Sequence, residues 1–458
     1  MNVPKPHKRA GRPADERPYI RDAGRAFEGP ADFATVTTLM VLLALATGFA
    51  VGFLVFLVMN LSGWLTTALW SGYVDGGQIS AFPLLVCTLG GVVIGLWTRL
   101  SGSKVASLEQ VMSTFRATGS YHVGAAKGTV SFLLPLVFGG SVGFEAGLTG
   151  LITSGCCWIR DKLKAAGLRE AAVADVTIAA SLSAVFGTPL AGVVAGAESS
   201  PQHAGDALAE PSVDDYTMRR STKIVLYTAA AFGAFAGIKL FSGIFGVSSG
   251  FPHFGAVAAQ GADFVWALPA LVLAYVLTLA YHASSTLSQH AAGLLDGFAW
   301  GDVAKPVAAG VVLGALAIAF PYVLFSGEEQ SHMLMETWSA WTAVALMATG
   351  VLKACATPLC INLGWMGGNF CPSIFAGAAC GYGLSMLTGA DPVLMVTVTV
   401  SGFLAGVVRK PLLTIAVVLL CFPIESILWC GLAALAGASL PIPAALQRAK
   451  EDEDVSQR

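Results

Sequence analysis

Long apolar runs separated by short polar intervals set the pattern along the chain. Runs at 33–59, 81–97, 223–245, 264–281, 303–320 and 338–352 approach or exceed the length needed to cross a bilayer as helix, about 20 residues. Further apolar stretches at 129–155, 176–197, 374–387 and 394–440 are shorter or interrupted by Gly and Pro. The pattern predicts roughly a dozen or more helices, many too short to span ~30 Å alone. The most polar interval inside the body, 200–221 (SPQHAGDALAEPSVDDYTMRRS), reads as a surface loop between two halves.

The ends differ from the body. The first 30 residues carry Lys5, Lys8, Arg9, Arg12, Arg17, Arg21 and Arg25 among several Pro and Gly. They lack the charged start, short apolar core and small-residue cleavage site of a signal peptide. An excess of Lys and Arg beside the first span predicts a cytoplasmic, largely disordered tail and a cytoplasmic N-terminus. The expected layout is a basic tail at 1–30, a first membrane repeat at 31–200, a connecting loop at 201–221 and a second repeat at 222–440. A short charged tail at 441–458 would follow, with no soluble regulatory domain.

Composition narrows the class. Of the 458 residues 55% are hydrophobic and 12% charged, against about 25% charged in a soluble domain, and the mean hydropathy is +0.70. These residues cannot supply the polar surface of a cytosolic enzyme. A net charge of −2 with no basic stripe in the body argues against a nucleic-acid binder. The nine Cys form no CxxC pair and lie in apolar context, and the seven His are scattered. Neither pattern is a metal-ligand set, and no cofactor is expected. Glycine is in excess, 52 residues, which in membranes means closely packed helices or helices broken inside the bilayer.

The two halves share landmarks in the same order. GGSVGFEAGLTG (139–150) is followed by TPLAGVVAG (188–196); GGNFCPSIFAG (367–377) is followed by KPLLTIAVV (410–418). Each half has a glycine-rich break opening an apolar helix, then a Pro-Leu opening another. Broken segments at matching places in two halves point to a transport site near the bilayer midplane. A helix starting there exposes unpartnered N–H groups and the positive end of its dipole. Two such starts facing each other would hold an anion without a Lys or Arg.

These segments resemble the CLC family of chloride channels and proton-coupled anion antiporters. GGSVGFEAG (139–147) resembles the break around the family's gating glutamate, FGTPLAGVVAGAE (186–198) the helix that follows, GGNFCP (367–372) the G-x-F-x-P break of the second half, and PLLTIAVVLL (411–420) the penultimate helix. The resemblance covers about 33–440. It implies an all-α, polytopic membrane protein, an inverted repeat of tilted and broken helices, with an anion path in each subunit of a homodimer in the cell (inner) membrane.

Glu145 is the leading candidate residue. A carboxylate in an apolar, glycine-rich run is costly unless it has a function or a partner. The resemblance makes it the gate, occupying an anion position when ionised and swinging away when protonated. It further implies anion contacts from Phe144 beside it, from the backbone around Gly368, Asn369, Phe370 and Cys371, and from Ser103, where Gly102-Ser103-Lys104-Val105 lacks the family's following Gly and Pro. Pro372 suits the first turn of a helix, having no N–H to leave unsatisfied.

Three departures bear on mechanism. The gating stretch lacks the family's common Arg and Pro. Ser426 stands where a late-helix tyrosine is expected, with Phe422 nearby. The inner proton-relay glutamate falls on Ser199, with Glu198 one place earlier and so turned by about 100° on a helix. Asn369 replaces the acidic residue characteristic of the fluoride-exporting branch. The expected function is transport of chloride or a similar small anion, with coupling to protons left open; the alternatives are a passive anion channel or a fluoride-exporting relative, against which Asn369 argues. A membrane-embedded enzyme would need a nucleophile–base cluster within the spans, and an organic-solute transporter shares only the broken-helix physics.

Overall fold

The computed structural model describes residues 30–74, 81–102, 125–150 apart from 146 and 149, 220–245 and 252–446. In chain order the helices are α1 (Pro30–Val74), α2 (Phe82–Ser101), α3 (Ala125–Val137), α4 (Arg220–Phe245), α5 (Ala267–Asp296), α6 (Gly301–Ala319), α7 (Glu328–Thr337), α8 (Ala343–Asn362), α9 (Phe370–Thr388), α10 (Pro392–Val408), α11 (Pro411–Val418) and α12 (Ile427–Ser439). Among the described residues seven helices are long and apolar enough to cross a membrane. The chain is an integral, multi-pass membrane protein built from helices.

Several boundaries move from those the apolar pattern predicts. The run at 33–59 is part of one 45-residue helix, α1. The run at 338–352 gives way to α8, ten residues further on at its C-terminal end. Trp338–Ala340 instead forms a separate 3-10 turn. Thr342 then caps α8, its hydroxyl accepting from the Ala345 amide at 3.2 Å, which satisfies one of the N–H groups left open at a helix start.

Glycine pairs bring helices into close contact. In α1, Gly48 and Gly52 face Ala230 and Ala234 of α4, where an added Cβ would run into the facing carbonyl oxygens. Gly91 and Gly95 of α2 meet the backbone of α6 in the same way, and Gly310 and Gly314 of α6 meet that of α2. The four-residue spacing places each pair on one helix face. Backbones approach there because no side chain intervenes, the usual route to helix association in lipid. Close packing thus takes a large share of the glycine excess.

At the centre stand α9 and α10. All of α9 from Phe370 to Gly383 is buried, as is α10 from Leu394 to Val407. Neither offers lipid a face over those stretches, so what happens at the start of α9 happens inside protein.

Candidate functional site

The two glycine-rich breaks have the same local construction. Helix α3 ends with the Gly140 amide bonded to the Pro135 carbonyl at 2.7 Å and the Gly139 amide to Leu136 at 3.2 Å. Helix α8 ends with Trp365 bonded to Cys360 at 2.8 Å and Gly364 to Ile361 at 3.2 Å. Both are Schellman closures, which require a left-handed residue just past the helix. Gly139 and Gly364 supply it, with φ of +87° and +94°. Three residues beyond each closure the chains meet: Gly143 and Gly368 exchange both backbone hydrogen bonds, each 2.7 Å, as an isolated antiparallel bridge. Two residues on from this bridge each strand turns into helix, at Glu145 and at Phe370.

Glu145 and Phe370 are 225 residues apart, and the Phe370 amide donates to the Glu145 carboxylate at 2.5 Å. The Cys371 amide and thiol act on the same carboxylate. Glu145 is fully buried. An added Cβ at Gly143 or at Gly368 would overlap its carboxyl group, so both glycines make the space it occupies. Asn369 stands at the N-cap of α9, a position where Asn ordinarily caps with its own side chain, but it makes no such bond. Its Nδ2 instead donates to the Tyr281 hydroxyl of α5 at 3.4 Å. The first N–H groups of α9, with the positive end of the helix dipole behind them, are left to a carboxylate from the other half of the chain. Donors of this kind, at a helix start, suit a negatively charged group.

The sequence-derived set is therefore partly assembled. Phe144, Glu145, Gly368, Asn369, Phe370 and Cys371 come together around the Gly143–Gly368 bridge. Pro372 is in the first turn of α9, as its missing N–H favours. Ser426 closes the separate 3-10 turn Ile424–Ser426; it is buried, and among the described residues its hydroxyl has no hydrogen-bond partner. Ser103, Glu198 and Ser199 lie outside the described residues, as does 188–196. Among the described residues no group of three His, Cys, Asp or Glu could hold a metal ion.

Two residues of this region were not singled out from the sequence. Tyr281 was one tyrosine at the end of an apolar run. Lys353 is a lysine in the middle of α8, and that is a readable signal. It is fully buried. Its ammonium donates to the carbonyls of Leu324 at 2.8 Å, Tyr322 at 3.0 Å, Phe325 at 3.0 Å and Val323 at 3.2 Å, and lies 5.0 Å from the Phe375 ring centroid on α9. Phe325 in turn donates its amide to Gly139 at 3.0 Å. Lys353 thus ties α8 and α9 to the loop that holds the first break.

The chain belongs to the voltage gated chloride channel family, which it matches over residues 84–440. It is 30% identical over 126 residues to the chloride channel protein CLC-e of Arabidopsis thaliana, covering 23% of this chain and 18% of that protein. It is 34% identical over 116 residues to a ClcB-like chloride channel protein of Ralstonia nicotianae, covering 24% and 27%. The chain thus spans about a fifth to a quarter of these relatives. In fold it is similar to a CLC-type fluoride/proton antiporter (TM-score 0.67, 14% identity, 88% of this chain and 94% of that one). A slow cyanobacterial Cl−/H+ antiporter is similar too (0.64, 14%, 91% and 99%), as is a eukaryotic CLC transporter (0.62, 14%, 90% and 75%). The chain has the CLC fold.

Proposed function

We propose that the protein transports chloride or a similar small anion through a pathway gated by Glu145, and that protons move in exchange through the same carboxylate. The observation that carries this reading is the Glu145 carboxylate seated on the Phe370 amide at the start of α9. An ionised carboxylate there competes with an anion for the same donors. Protonation removes its charge and weakens its hold, so a proton taken up by Glu145 admits an anion. Acidification is then expected to raise anion flux. Two of the similar folds are proton antiporters, which supports the exchange reading over passive conduction.

The remaining assignments rest on family membership and on charge. The working unit is a homodimer, each subunit with its own path. It sits in the cell (inner) membrane with the basic N-terminal tail in the cytoplasm, as the Lys and Arg of 1–30 favour. Phe144, Gly368, Asn369, Phe370 and Cys371 form the central anion site. Ser103 and Ser426 are assigned to further anion contacts along the path.

Purified protein in liposomes tests the function. A chloride gradient is expected to drive protons uphill. Glu145→Gln is expected to abolish proton movement and the pH dependence of flux while leaving anion flux. Unchanged proton movement in Glu145→Gln would falsify the gate assignment.

A further inference from the structure

We propose that the Tyr281 hydroxyl is a direct hydrogen-bond donor to the transported anion, engaging it at the start of α9 once the Glu145 carboxylate has left. The inference rests on the transport reading above and adds a ligand from a different helix. Tyr281 lies on α5 and is 8% exposed. Its ring is fixed edge-on between Phe403, at 6.4 Å between centroids, and His282, at 5.5 Å. Its oxygen accepts from the Asn369 side chain at 3.4 Å, and Asn369 is the residue immediately before the Phe370 amide that holds Glu145.

A phenol has one proton to donate. Among the described residues no acceptor takes the one on Tyr281. A buried O–H without an acceptor is costly, so a hydroxyl held in this state beside an anion site is a donor awaiting its ligand. Asn369 strengthens the case. By donating to the phenol oxygen it occupies the accepting side and leaves the proton as the free function. This also explains why Asn369 forgoes the cap that Asn makes elsewhere. Backbone amides of α9 on one side and the phenol on another would surround a compact ion with donors from two elements.

The test is chloride and thiocyanate binding by calorimetry to the purified full chain in the Glu145→Gln background, where no carboxylate competes. Adding Tyr281→Phe, which removes one oxygen and keeps the ring, is expected to weaken chloride binding about tenfold or more, the loss of one hydrogen bond to a charged group. Thiocyanate, large and weakly hydrated, is expected to lose less. If Tyr281→Phe does not fold, Asn369→Ala frees the hydroxyl from its fixing partner and is expected to weaken chloride binding severalfold. An unchanged chloride Kd in the variant that folds, or an equal loss for both anions, overturns the inference and leaves the transport reading intact. Absence of any anion binding to Glu145→Gln itself overturns the transport reading and this inference together.

Discussion

Replacing Lys353 with Met should loosen the protein at a defined place. The side chains are similar in length, and Met fills the same apolar channel without a donor. What is lost is the contact with four carbonyls at 2.8 to 3.2 Å. An ammonium has three protons, so three bonds are made at once and the fourth carbonyl shares. Each is a hydrogen bond to a charged group, about 1.5–3 kcal/mol, which gives roughly 4–9 kcal/mol for three. Three bonds on one ammonium are not additive, so the net loss is set lower, on the order of 2–5 kcal/mol, which is still a large share of the 5–15 kcal/mol typical of a folded protein.

The damage should also be local. Phe325 is held in left-handed backbone, φ +61°, a conformation a non-glycine residue keeps only when its surroundings impose it. Lys353 grips its carbonyl, and its amide holds Gly139. The assay is thermal unfolding of the purified protein with hydrogen exchange resolved to short peptides. Lys353→Met is expected to lower the unfolding midpoint and to speed exchange over 322–325 before the rest of the chain. A midpoint equal to the parent's, with unchanged exchange there, would show that the carbonyls find other partners and that the clamp is not needed.

Other variants probe the site and its packing. In Gly368→Ala the new methyl would overlap the space taken by the Glu145 carboxylate. On the proposed reading the same space serves an anion, so chloride binding measured by calorimetry is expected to fall tenfold or more, and an unchanged Kd would place the anion elsewhere. In Gly310→Leu the side chain meets the Cys87 carbonyl across the α2–α6 contact. Overpacking of this kind costs about 1–3 kcal/mol, so the unfolding midpoint should drop; a midpoint within error of the parent's would mean the helices separate without penalty.

The apolar pattern made most spans legible, and their errors have physical causes. Trp338 and Trp341 look like membrane residues, yet they belong to a turn before α8; the Thr342 cap was the readable start. The apolar run ends early in the sequence because it meets Lys353 and then Asn362. Both are accommodated inside the protein. Lys353 has its carbonyls, and Asn362 donates to the hydroxyls of Ser285 at 3.2 Å and Ser288 at 2.8 Å on α5. Polar residues satisfied by tertiary partners do not stop a helix, and the sequence does not show the partners. The glycine pairs at 48 and 52, 91 and 95, and 310 and 314 were readable as four-residue spacings. Counting glycines concealed them, whereas reading their period reveals a helix face.

The site was legible as two breaks expected to face each other, but not which side chain answers which helix start, and the reason is the symmetry of the repeat. A local two-fold relation puts equivalent residues opposite each other, as Gly143 and Gly368 are in their bridge. The residues two places on must then each face the start of the other's helix. Were both carboxylates, two negative charges would be forced close together in a buried site, a costly arrangement. Were both apolar, two helix starts would be left with no group to answer their N–H donors. The chain has one of each. Glu145 reaches across to the Phe370 amide, and the equivalent position offers that amide without a competing charge. The repeat builds a cradle from two helix starts, and breaking the repeat at one side chain leaves room for a single negative charge. On the proposed reading that charge is either the protein's own carboxylate or the anion that displaces it, which would couple a proton on Glu145 to an anion in the cradle.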